Sequence, residues 1–437
     1  MNKINFKYGL DDIPPLTELL LFGLQWLAII VPIIIIIGKA IVGLHFSDPL
    51  DQVVYLQKLF FVSAVSLLAQ VLWGHRLPLI IGPAAVLLVG IAASQGSSTS
   101  TIYSSILISG MILLLLSATG LFAKVKKLFT PQVIATILIL IALTLTPMII
   151  NLIFASQQVA PVQNLCFVFI FVLGMFWANQ RLTGLWKTTL IIWAVIIGTA
   201  LYMLLFPQYT GISYHQNFSP ISSFFRHVSL DFSLDPSVLI SFLICFLALS
   251  INDLGSIQSI GEIIRPDNME KRITRGVSFT GLGNILSGLF GVIGPVNFSL
   301  SPGVIASTGV ASRFTLIPTA FGLLLLSFLP STIAFIGSIP SAVTGSVLIY
   351  IMCAQISSGL LVAFNTTGGF KFENGLIMGL PLMLSIIISF LPPNIANSFP
   401  SSLRPIMGNG FVIGVLSVLI LENVIYRRRN SEVFKKP

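Results

Sequence analysis

Charge is what this chain has least of. Only 8% of its 437 residues are charged, against 55% hydrophobic, whereas soluble domains carry roughly a quarter charged residues. With a mean hydropathy of +0.98, that scarcity excludes a soluble globular domain and marks an integral membrane protein. Cysteine is nearly absent as well. Cys166, Cys245 and Cys353 sit in separate apolar runs, which argues against a disulfide framework and against metal-ligand spacing. The 4 histidines form no metal motif. Polar stretches are missing too, apart from Met1–Asp12 and the residues after Tyr426. Met1–Asp12 carries mixed charge and the first apolar run is long enough to span, so no cleavable signal peptide is expected. The net charge of +9 does not point to nucleic acid, because the basic residues lie in short loops rather than on one continuous face. No grouping of His, Asp and Ser supplies a nucleophile, base or metal set, so no enzymatic chemistry is expected.

What the chain does have is long apolar runs and a distinctive break in one of them. Hydropathy and helix breakers mark about fourteen segments, beginning with Leu16–Ile37 and including Val238–Leu254 as the eighth. The third, Leu77–Ala93, and the tenth, Pro295–Val310, are poor helices. In the tenth region, Gly294-Pro-Val-Asn-Phe-Ser-Leu-Ser-Pro-Gly-Val-Ile-Ala-Ser-Thr-Gly309, proline makes a regular helix through Pro295 or Pro302 unexpected. Backbone groups freed at membrane depth need protein, ligand or trapped water, so such breaks mark a cavity and, in transporters, the substrate site. With both termini cytoplasmic, only Lys39, Lys58, Arg226 and Arg404 of the 23 lysines and arginines fall outside. That bias supports the count and gives a multi-pass protein of the cytoplasmic membrane. Lys124–Lys127 and Arg427–Arg429 set topology, with lipid headgroup contact as a minor addition.

The two sevens echo each other. Phe129-Thr-Pro-Gln-Val133 opens the fifth span and Ser338-Ile-Pro-Ser-Ala-Val343 opens its counterpart, the twelfth. Because seven is odd, the two units have opposite orientations, which is the inverted-repeat plan of secondary transporters.

Several motifs resemble the nucleobase–ascorbate transporter family, which includes bacterial uracil and xanthine permeases. They are Tyr8-Gly-Leu-Asp-Asp-Ile-Pro-Pro15 with Gly23-Leu-Gln-Trp26, and Gly74-His-Arg-Leu-Pro78. Gly303-Val-Ile-Ala-Ser-Thr-Gly-Val-Ala-Ser-Arg313 resembles the purine type. Leu403-Arg-Pro-Ile-Met-Gly-Asn-Gly410 is similar to a divergent bacterial purine-permease branch. The resemblance covers essentially the whole chain. It implies an all-α membrane fold with short strands in the third and tenth spans. The implied order is a tail (1–15), core (16–128), gate (129–206), an exterior loop (207–236), core (237–337), gate (338–426) and a second tail (427–437). It also implies dimers through the gates, and inward transport of a nucleobase with a proton or sodium ion as the core moves against the gate. The leading expectation is proton symport of a purine or uracil. The alternatives are another planar solute or an anion on the same fold, or a sensor that binds without transporting.

The site implied by the resemblance departs from the family pattern. Gly303, Thr308 and Gly309 match the tenth-span signature, but Leu300 and Ser301 replace its polar pair. In the eighth span, Asn252 stands where the family has a glutamate. Its amide suits a nucleobase edge, and its alternative is an interhelical hydrogen bond. Asp253 is the only carboxylate deep in a span, expected either to carry the proton or to hold the core together. Since successive helical side chains diverge by about 100°, Asp253 need not face what Asn252 faces. Ala84 and Ala85 occupy the small-residue position of the third span, where close packing is the other reading. Phe298 is placed to stack on a base or to pack in the core. Gln25 matches a supporting glutamine, Trp26 replaces a histidine, and Ser256 and Gln258 stand behind the site. The exterior loop with His215 and His227 carries no chemistry. Ile33–Ile37 reads as lipid-facing or packed helix.

Overall fold

The computed structural model describes residues 6–122, 128–156, 158–208, 221–228, 231–298, 301–364, 369–392, 395, 398–400 and 403–426. Among these residues, 8 helices are long and apolar enough to cross a membrane, and the pair Arg313–Ser327 and Pro330–Gly337, bent by 94°, is a candidate ninth.

The first half runs through α1 (Leu16–His45), α2 (Pro49–Leu72), β1 (Ile81–Pro83), α3 (Ala85–Ala93) and α4 (Thr99–Ala118). It continues through α5 (Pro131–Thr144), α6 (Thr146–Ile153), α7 (Pro161–Arg181) and α8 (Leu190–Leu205). The second half holds α9 (Pro236–Ile264), α10 (Met269–Phe290), β2 (Pro295–Asn297), α11 (Ser301–Thr308), α12 (Leu316–Ser327) and α13 (Pro330–Gly337). It closes with α14 (Ser341–Phe364), α15 (Phe372–Ser389) and α16 (Gly410–Ile420).

One local device starts three of these helices. Asp48, Thr130 and Asp235 each accept a hydrogen bond from a first-turn backbone N–H, and each is followed by proline. The side chain satisfies a donor the helix leaves orphaned, and proline has no donor to waste there. The same rule explains α11. It passes through Pro302, against the sequence expectation, because Pro302 is its second residue, where the missing N–H costs no intrahelical bond. The helix ends at Gly309, whose φ of +68° is a left-handed conformation that glycine adopts without strain.

The broken third and tenth spans meet. β1 and β2 pair antiparallel, with Ile81 opposite Asn297, Gly82 opposite Val296 and Pro83 opposite Pro295. The ladder is extended by Ala84 N–H to Gly294 O (2.9 Å) and Phe298 N–H to Ile80 O (2.9 Å). Asn284 of α10 donates to the Pro295 carbonyl (3.0 Å). These strand groups are thus satisfied within the protein, as membrane depth requires.

Two segments run longer than the hydropathy suggested. α1 continues past Ile37 to His45, which places Lys39 inside the helix, where its ammonium donates to the Ile339 carbonyl. α9 continues past Leu254 to Ile264, so Asn252 and Asp253 lie in mid-helix. Ile33–Ile37 is buried. The N-terminal segment is pinned rather than loose. Tyr8 bridges Val310, Lys7 N–H donates to Gly309 O (2.8 Å), and Arg313 pairs with Asp11 (2.7 Å).

Burial separates the two sets of helices. In the most apolar windows of α1, α2 and α9, 67% of residues are buried, against 22% for α7 and α15 and 28% for α14. The second group therefore presents its apolar face outward.

Candidate functional site

A cavity of about 150 Å³ lies at the seam between the two sets of helices. One wall is built by Ile33 and Ile37 of α1, Ala85 and Val86 of α3, Asn252 of α9, and Val296 and Phe298 at β2. The facing wall comes from Ile141, Ile191 and one side of α14, including Tyr350, Gln355 and Ser358. A cavity of this size in a protein core accommodates an aromatic ring. Ala85 and Val86 open α3, so their N–H groups have no acceptor within the helix. The Phe298 ring lies against Gly82, where an added Cβ would stand 2.7 Å from its Cε2 atom. Only glycine lets the ring settle there.

Adjacent residues on α9 face different environments. Asn252 lines the cavity. Asp253 is fully buried and points at the strand instead. Its Oδ1 accepts from Asn297 N–H (3.1 Å) and from the Asn297 amide, and its Oδ2 accepts from the Thr280 hydroxyl (2.8 Å). Three donors on a carboxylate make charge-assisted bonds, roughly twice as strong as neutral ones. The Asn297 Oδ1 in turn lies 3.0 Å from His75 Nε2. His75 Nδ1 accepts from Leu77 N–H (2.9 Å), so Nε2 carries the ring proton and donates. Gln70 closes the cluster, donating to Thr280 Oγ1 (3.1 Å) and Gly276 O (2.7 Å). Arg272 donates to the carbonyls of His75 and Arg76. The result is a connected polar cluster tying α2, α9, α10 and β2 together.

Of the expected site residues, Asn252, Phe298 and Ala85 line the cavity, whereas Asp253 belongs to the polar cluster. Ala84 is buried and spends its N–H on Gly294. Ser301 accepts from Ile80 N–H (3.0 Å), fastening the start of α11 to β1. Ser256 donates to the carbonyls of Asn252 and Asn297, both at 2.9 Å, and so joins α9 to β2. Thr308 donates back to Val304 O (2.9 Å) at the end of the helix containing Gly303. Gln25 and Gln258 are half-buried and are not among the residues lining the cavity. The Gln25 Nε2 is buried without a partner among the described residues. Trp26 donates to Thr315 Oγ1 (3.2 Å), joining α1 to the turn before α12. Leu300 lies outside the described residues. No group of three or more His, Cys, Asp or Glu able to hold a metal occurs among the described residues.

Sequence reasoning missed Gln70, His75, Thr280, Asn297, Tyr350 and Gln355. A signal existed for Asn297: strand side chains alternate, so placing Phe298 in the cavity sends Asn297 to the other face. The α14 residues had no such signal, because their nearness to Asn252 is purely tertiary.

Two broken spans that cross at the centre of a helical membrane protein, beside a small cavity between two helix sets, define a transporter architecture. The chain belongs to the permease family: the family model Xan_ur_permease, described as Permease family, matches residues 17–394. It is 27% identical to the xanthine permease of Bacillus subtilis, over 91% of this chain and 90% of that one. It is 26% identical to the uric acid permease PucK of Bacillus subtilis, over 92% and 94%. Among solved structures, the transmembrane domain of a cyanobacterium bicarbonate transporter, BicA, superposes with a TM-score of 0.65 at 17% identity, covering 87% of this chain and 98% of that one. That likeness bears on the fold alone, a seven-plus-seven inverted repeat with core and gate elements.

Proposed function

We propose that this chain imports a nucleobase, a purine such as xanthine, hypoxanthine or guanine, or uracil, across the cell membrane by proton symport. The observation that carries the reading is the seam cavity, where the Asn252 amide stands beside the Phe298 ring. An amide offers a donor and an acceptor side by side to the edge of a base, and an aromatic face stacks on its plane. The relatives' names, xanthine permease and uric acid permease, agree in substrate class. The core carries one wall and the gate the other, so rocking one set against the other exposes the cavity to alternate sides. The outward apolar faces of α7, α14 and α15 fit lipid contact and a homodimer through the gates. Both termini are cytoplasmic in this reading.

Asp253 carries the coupling. It is the only buried carboxylate among the described residues, and an intramembrane carboxylate usually serves transport. It does not line the cavity, so its influence travels through β2. Protonation would weaken the charge-assisted bonds that hold Asn297, and the residues flanking Asn297, Val296 and Phe298, form the cavity wall.

The test is uptake of radiolabelled uracil, xanthine, hypoxanthine, guanine and urate by a permease-deficient host, with and without a protonophore. Uptake of at least one base, abolished by the protonophore, is expected; uptake of none would end the nucleobase reading. Asp253→Asn can keep the Asn297 contacts through its carbonyl and reach Thr280 through its amide, but it cannot titrate. It should lose protonophore-sensitive accumulation while retaining binding, and unchanged accumulation would reject the coupling role.

A further inference from the structure

The gate wall of the cavity has polar groups of its own. Ser358 spends its hydroxyl on Ala354 O (3.0 Å). The side chains of Gln355 and Tyr350, which also line the cavity, have no hydrogen-bond partner among the described residues. The Asn252 carboxamide across the cavity has none either; only its backbone carbonyl is engaged, by Ser256. The seam therefore holds an unpaired carboxamide on each wall. Both amides are half-buried, so the edge of a ligand can replace the water that reaches them.

The site also lacks charge. No charged side chain lines it, and the sequence places none between Arg275 and Arg313, between Arg76 and Lys124, or between Arg313 and Lys371. The tenth span, the third span and α14 therefore contribute only neutral groups. Lys39, which follows the lining residue Ile37 on α1, is held by the Ile339 carbonyl. Asp253 is held by its three donors.

We propose that the site takes its cargo uncharged, and that Gln355 selects it from the gate side. A flat neutral heterocycle with donors and acceptors on opposite edges bridges Asn252 and Gln355 over the Phe298 ring. An anionic purine is disfavoured, because only the free N–H groups of Ala85 and Val86 offset the loss of its hydration, with no charged side chain to add to them. Each carboxamide presents both a donor and an acceptor and can turn to suit the edge it meets. The bridge also links occupancy to domain closure, since both amides are satisfied only when core and gate close on the same molecule. This inference rests on the nucleobase reading and narrows it.

The experiment measures uptake of radiolabelled hypoxanthine, uncharged at neutral pH, by the full chain, with urate, an anion at that pH, as competitor. Urate is expected to compete at least a hundredfold less well than unlabelled hypoxanthine. Gln355→Leu should raise the KM for hypoxanthine at least tenfold, with membrane abundance and melting of the purified protein unchanged. Ser357→Ala, on an exposed face of α14 outside the cavity, should stay within twofold of the parent. If Gln355→Leu misfolds, Gln355→Met serves in its place. Equal competition by urate, or an unchanged KM in the Gln355 variants, would overturn the inference while leaving the nucleobase reading standing. Absence of uptake for every base would remove both.

Discussion

The two faces of the α9–β2 seam are one residue apart in sequence and opposite in character. On the cavity face, Asn252, Val296 and Phe298 present an unpaired amide, an aliphatic group and a ring. On the buried face, Asp253 and Asn297 are tied to Thr280 and His75. The amide on the cavity face has no partner among the described residues, whereas the buried face satisfies itself. A charged group buried in a low-dielectric interior must be paired or hydrogen-bonded, and here three donors do that work for one carboxylate. The intramembrane acid is tied to the strand behind the cavity, while the side chains that line the cavity are neutral.

The comparison can be broken most severely at Asp253. Asp253→Ala strips the acceptor from Asn297 N–H, the Asn297 amide and the Thr280 hydroxyl, each then buried and unmet at about 1–3 kcal/mol. We expect a loss of stability of at least about 3 kcal/mol, read as a lower melting temperature in detergent. An unchanged melting temperature would show that the buried face does not depend on this acid.

Gly82→Ala tests the contact between the third and tenth spans. The new Cβ would stand 2.7 Å from Phe298 Cε2 and 2.8 Å from Ile30 Cδ1, so something must shift, at a cost of about 1–3 kcal/mol. Because the displaced ring lines the cavity, substrate KM should rise along with the loss of stability. A stability change with KM untouched would show that Phe298 is core rather than site.

The smallest effect is expected on the cavity face. Asn252→Ala removes an amide with no partner among the described residues, so the melting temperature should hold within error. Substrate binding should weaken by about 1–2 kcal/mol, the worth of a hydrogen bond to ligand, measured by competition uptake. A marked drop in stability would instead make Asn252 a structural residue like its neighbour.

The broken spans were legible in the sequence because proline and glycine at membrane depth have few explanations. The half-helix through Pro302 was not, since proline is disruptive inside a helix and harmless in its first turn, and only the position of the turn decides. Asn252 and Asp253 were both identifiable as polar intrusions, and the 100° turn between them warned that they would part. Which of them faced the cavity depended on where β2 lay. Gln355 and Tyr350 left no mark, because a polar residue on an apolar helix says nothing about what stands opposite.

By itself, the sequence determined that this chain is a multi-pass membrane protein with two interrupted spans in a repeated order. Scarce charge, hydropathy and breaker residues act locally, and local rules suffice for that. Only the tertiary structure decided that the two breaks pair as strands, that Asp253 turns to Asn297, and that Gln355 and Asn252 line one cavity. Those contacts join residues far apart in the chain, and they arise from packing between helices, which no periodicity within a single helix encodes.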